Sequence, residues 1–127
     1  MELTKVIESY ANAVDGKFSS YDDTKGVVIV PVTKHRFQSV IATNKMLDGV
    51  EYIELSSKIC AVEDMPEKLF VLQRDLTLSK LVIKDDFLQV VAYVDDQINP
   101  KLLAVVINEV AQFADHKEKE ISGKDHY

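Results

Sequence analysis

The residues able to do chemistry are few, and their spacing decides what they can do. Two acidic pairs stand out, Asp85-Asp86 and Asp95-Asp96, on either side of the apolar run from Phe87 to Val94. Read as a strand, that run rises roughly 3.3 Å per residue and holds the pairs too far apart to share one cation. Carboxylates that work as acid and base need burial to split their pKa values, and turn residues are exposed. Both pairs therefore read as turn formers and helix-cap neighbours. The histidines His35, His116 and His126 stand beside no nucleophile and lack zinc-pair spacing, so they read as surface residues. The one cysteine, Cys60, ends a strand-like run and reads as a buried, inert thiol. It excludes an intramolecular disulfide and a multi-cysteine metal site. Gly16, Gly26, Gly49 and Gly123 are scattered, so there is no phosphate loop. The expected set of catalytic, cofactor-binding and metal-ligating residues is empty, and the chain reads as a non-enzyme.

Aromatic residues are the other chemical resource. Phe37, Tyr52, Phe87 and Tyr93 fall on predicted strands, where an RNA-binding sheet would stack bases. No basic surround is visible around them in sequence, which assigns them to core or interface packing. Arg74 and Lys80 flank Leu76-Thr77-Leu78 and read as solvated charges.

The elements that must position these residues follow from hydrophobic spacing. Leu3, Val6, Ile7, Tyr10, Ala11 and Val14 predict an amphipathic helix over 3–15, ended by Gly16. The polar stretch 17–24 reads as a loop. Residues 26–33, rich in valine, predict a strand that Pro31 confines to an edge or a bulge. A tight Lys34-His35 connection leads to a strand over 36–45. Asp48-Gly49 then signals a hairpin into a third strand over 50–60. In that strand Ile53, Leu55 and Ile59 alternate with Glu54, Ser56 and Lys58, the pattern of a sheet with one covered face and one wetter face. Asp64, Pro66 and Glu67 predict a capping box opening a short helix with Leu69, Leu72 and Leu76 on one stripe. Two short strands flank Asp85-Asp86, and Asn99-Pro100 starts a long closing helix. Its core stripe is Leu103, Val106, Ile107, Val110 and Ala114, with Leu102 and Val105 left off that stripe. The charged tail over 116–127 is expected to fray.

These elements describe one domain over 1–127, α+β in class. A five-stranded, mainly antiparallel sheet is expected, with helices on one face and the order α-β-β-β-α-β-β-α. At 46% hydrophobic and 28% charged residues the composition is that of a globular domain. The net charge of −6 argues against nucleic acid, whose binding rests on cations neutralising phosphates. With no basic leader before an apolar stretch and no span of membrane length, no membrane partner and a cytoplasmic location are expected.

The second half, Met65-Pro66-Glu67-Lys68-Leu69-Phe70-Val71-Leu72-Gln73-Arg74-Asp75-Leu76 and then Lys80 to Val90, resembles the YbjN-type bacterial family. Such proteins share the fold of type III secretion chaperones, with a short proline-and-leucine helix before a strand hairpin and a long last helix. Gln73 stands where those families often carry asparagine. The resemblance implies a protein-binding, chaperone-like role without catalytic residues.

The expected function is a non-enzymatic protein-binding module, chaperone-like or regulatory, that uses no cofactor. A small acidic inhibitor of the immunity type is one alternative, and a small enzyme or ligand-binding domain with an Asp/Tyr-lined pocket is another. A homodimer is expected, with Leu102, Val105, Val28 and Val30 as its interface residues.

Overall fold

Where side chains cannot all be hidden, the backbone ladder decides which stretches become strands. The structure, a computed structural model, describes residues 3–22, 24–33 and 35–122. In chain order it holds α1 (Leu3–Ala13), β1 (Lys17–Asp22), β2 (Lys25–Thr33), β3 (Arg36–Leu47), β4 (Val50–Ala61), a 3-10 turn (Val62–Asp64), α2 (Leu69–Gln73), β5 (Lys80–Lys84), β6 (Phe87–Asp95) and α3 (Pro100–Ser122). Six strands form one sheet in the order β1-β2-β3-β4-β6-β5, every neighbouring pair antiparallel.

The class is α+β, but the expected five strands and the order α-β-β-β-α-β-β-α are overturned. The observed order is α-β-β-β-β-α-β-β-α. The added strand is β1, in the stretch whose polar side chains read as a loop. It lies at the sheet edge, and only Phe18 among its side chains is partly buried. The Phe18 ring covers Gly26 of β2, where a Cβ would lie 2.7 Å from it. One anchor and a backbone ladder hold an edge strand without any alternating apolar pattern. The chain reaches β1 through Gly16, where a Cβ would collide with the Ile29 carbonyl oxygen.

The two hairpins form at the expected aspartates. Asp48 and Gly49 have φ of 50° and 81°, and Asp85 and Asp86 have φ of 53° and 66°. Both pairs are left-handed, as a two-residue turn matched to strand twist requires. Pro31 sits where the β2–β3 register shifts, so its missing N–H falls at an irregularity. His35 is exposed with φ of 65°, while Lys34 lies outside the described residues.

The second helix is shorter than expected. Met65 is extended, with ψ of 139°, because the residue before a proline is pushed out of the helical region. Asp64 therefore ends a 3-10 turn, and α2 begins after Lys68 with no side-chain cap. Gln73, its last residue, accepts from Leu81 N at 2.7 Å and donates to Ser79 O at 3.2 Å, bonding the backbone on either side of Lys80, where β5 begins.

Helices α1 and α3 share one face of the sheet. Ile7, Tyr10 and Ala11, with Leu103, Val106, Ile107, Val110 and Ala114, pack on Val28, Val30, Val40, Ala42, Leu55 and Val90. Among the described residues no helix is long and apolar enough to cross a membrane.

Helix α3 runs on through His116 to Ser122. Arg36 explains the extension. Its Nε donates to Asp115 at 2.8 Å and its terminal nitrogen lies 3.4 Å from Glu118 Oε1, both acids being buried. Residues 123–127, including His126, lie outside the described residues. Replacing Arg36 by Ala should cost about 3 kcal/mol, because two carboxylates would stay buried without their cation. Urea titration measures this, and Arg36→Lys, which keeps charge but loses the fork, should fall between wild type and Ala.

Candidate functional site

Side chains of paired antiparallel residues point the same way, so the register sorts the whole sheet into two faces. Val28, Val40, Leu55 and Val90 point toward the helices. Their strand neighbours point away, onto a face that neither α1 nor α3 covers.

That open face collects five aromatic side chains. Phe37 on β3, Tyr52 on β4, and Phe87 and Tyr93 on β6 share its parity, and Tyr21 joins them from β1. Phe37 is 50% exposed and Tyr93 47%. The Tyr52 and Tyr93 rings meet edge to face at 5.8 Å, a favoured geometry for paired quadrupoles. Val27, Ile41 and Tyr21 line a shallow hollow of about 230 Å³ whose other wall carries Ser56, Lys58 and Gln89.

The same face gathers lysines. Lys17, Lys25, Lys45, Lys58, Lys80 and Lys84 all belong to it, against Asp22, Glu54 and Asp95. That is an excess of three positive charges on one face of a chain whose net charge is −6. Lys58 Nζ stands 4.2 Å from the Phe87 ring centre and Lys80 Nζ 4.8 Å from that of Tyr93. The basic surround judged absent from the sequence is therefore present in space.

Glu54 ties the face together. Its carboxylate accepts from Lys84 at 2.7 Å and from Lys45 at 3.2 Å, so one acid joins β4 to the lysines of β5 and β3. Burial pushes its carboxyl up, and the two lysine hydrogen bonds overcome that and hold it below the ordinary range. Hydrogen bonding to Glu54 in turn raises the Lys84 amine. A carboxyl held ionised this way is a poor proton donor at neutral pH. What the arrangement does is bind, through apolar, aromatic and cationic groups on one surface.

The other candidate residues are dispersed. Asp85-Asp86 turn the β5–β6 hairpin, and Asp95 at the far end of β6 accepts from Gln97 N at 2.8 Å. Among the described residues no group of three or more His, Cys, Asp or Glu is placed to hold a metal. His116 is exposed, 3.2 Å from Glu120. Cys60 is buried, and burial first and the Asp64 charge second push its thiol up.

Of the four residues expected at an interface, Val28 and Val30 lie inside the monomer's own core beneath the helices. The β2 position that suggested an edge is an interior one, because β1 covers it. Leu102 and Val105 stay on the surface of α3, 47% and 55% exposed. A groove of about 400 Å³ between α1 and α3 is lined by Val6, Tyr10, Leu103 and Ala104 instead, and neither Leu102 nor Val105 belongs to it. The structure brings the pair Leu102/Val105 together and separates it from the valines.

The residues that sequence reading missed are the face-sharing lysines. The signal was available in the alternation of β4 and β6, where Tyr52, Glu54, Lys58, Phe87 and Tyr93 share one parity. No protein-family model and no curated protein matches this chain.

Replacing Glu54 by Gln should destabilise the fold by roughly 1 kcal/mol, since the lysine ends reach water and their pairing is partly screened. The carboxyl sits below its ordinary 4.5, so its contribution is complete above that value and lost as pH falls through the folded one. The Lys84 amine sits above 10.5, so its share is complete below that value and lost at higher pH. Urea titrations of both proteins should show a constant gap across neutral pH that closes in acid.

Proposed function

We propose that this chain is a non-enzymatic protein-binding module, chaperone-like or regulatory, working through the open face of its sheet. The observation that carries the reading is an uncovered face with half-exposed Phe37 and Tyr93 set among lysines. Aromatic side chains on a rigid sheet offer large contact area at small entropic cost, as binding surfaces do. An open patch rather than a closed pocket of convergent acids and bases favours a binder over an enzyme. The YbjN-type resemblance points the same way, although β1 adds a strand to the element order on which it rests. A single buried thiol suits a reducing compartment, and a cytoplasmic location belongs to the same proposal.

The test is affinity capture with the wild-type chain beside a Phe37→Ala/Tyr93→Ala variant, read by mass spectrometry. A protein retained by the wild type and lost from the variant supports the reading. Retention by both, with the same occupancy, contradicts it.

The expected homodimer is carried by one observation, the exposed Leu102 and Val105 about one turn apart on α3. Two such patches facing each other across a two-fold axis would bury each other. Light scattering over a concentration series should give twice the 14.3 kDa chain mass. Val105→Glu should return it to the single-chain mass without unfolding, since a charge at an exposed site is solvated in the monomer and not in an apolar interface. A wild-type mass that stays at one chain removes the dimer.

A further inference from the structure

The open face mixes two chemistries. An apolar strip on β2 and β3 holds Val27, Ile29, Ile41 and Phe37. Lysines stand around it on β1, β2, β3, β4 and β5, and they are not equivalent. Lys45 and Lys84 spend their charge on Glu54. Lys17, Lys58 and Lys80 have no carboxylate partner among the described residues. Two of these three rest over aromatic rings, Lys58 on Phe87 and Lys80 on Tyr93. A cation over a ring is held more weakly than one hydrogen-bonded to a carboxylate. These ammonium groups are therefore positioned yet still available to an incoming anion.

Resting on the protein-binding reading above, we infer that the partner of this face is an acidic polypeptide segment. Its carboxylates meet Lys58 and Lys80, and its apolar side chains meet the hollow beside Ile41 and Phe37. Charge complementarity selects the acidic class, since the face is cationic while the whole chain is at −6. Single-stranded nucleic acid fits less well, although lysines and aromatic side chains are its usual platform. Bases need open ring faces, and here Lys58 and Lys80 each take one face of Phe87 and of Tyr93. A polyphosphate would engage only the lysines and leave the apolar strip without a partner. A polypeptide carrying both glutamate and apolar side chains meets both the lysines and the strip.

The experiment is fluorescence anisotropy of the full chain with three labelled probes. They are a peptide of repeated Glu-Glu-Leu-Phe, its counterpart of repeated Lys-Lys-Leu-Phe, and a thymidine oligonucleotide. The glutamate peptide should bind, and added salt should weaken it. Lys58→Glu/Lys80→Glu should weaken it by about tenfold or more, the loss expected when steering and pairing charges are reversed. The lysine peptide should not bind, and the oligonucleotide should bind more weakly than the glutamate peptide. Should the reversal variant melt below wild type, Lys58→Gln/Lys80→Gln makes the same test with a smaller loss. Tighter binding of the oligonucleotide, equal binding of both peptides, or indifference to both lysine variants would overturn the inference. The broader reading fails separately. A captured protein lost with Phe37→Ala/Tyr93→Ala but indifferent to the lysine variants would leave the module standing and its acidic partner refuted.

Discussion

A pleated strand can hide only every second side chain from water on one side, and α1 and α3 cover one side alone. Most of what this chain offers to a partner follows from that constraint. Val28, Val40, Leu55 and Val90 are drawn under the helices, so Ile29, Phe37, Lys58, Phe87 and Tyr93 are forced to the other face. No local preference of the aromatic residues puts them there. The register does, and a slip of one residue in β4 or β6 would exchange core and surface together.

Two sets of charges sustain the arrangement from opposite sides. On the covered face Arg36 reaches from the start of β3 to Asp115 and Glu118, which carries α3 to the end of the sheet. On the open face Glu54 draws Lys45 and Lys84 together across three adjacent strands and β5 at the edge. The cationic character of that face depends on the second set being incomplete. One acid satisfies two lysines and leaves Lys58 and Lys80 to the aromatic rings.

Much of the fold was legible because periodicity reports burial directly. The stripe of α3, the alternation in β4 and the aspartate turns all left patterns that depend on neighbours close in sequence. What stayed hidden depends on neighbours far away. β1 is held by a ladder to β2 and by Phe18 over Gly26, neither of which marks a polar stretch as a strand. Extension of α3 past His116 required Arg36, nearly eighty residues earlier in the chain. The capping box at Asp64 was locally plausible, but Pro66 holds Met65 extended and delays the helix. The candidate site fell between these cases. Its aromatic residues were visible one by one, while their common face with the lysines appears only when five registers are set side by side. Val28 and Val30 misled for the same reason, since an unseen β1 made an interior strand look like an edge.

The most direct measurement is amide chemical-shift mapping of the isotope-labelled chain during titration with the glutamate-rich peptide. The account predicts shifts confined to the open-face positions of β3, β4, β5 and β6, led by Phe37, Lys58, Lys80 and Tyr93, with α3 unmoved around Leu102 and Val105. Shifts centred on Leu102, Val105 and the α1–α3 groove, with the open face silent, would contradict it.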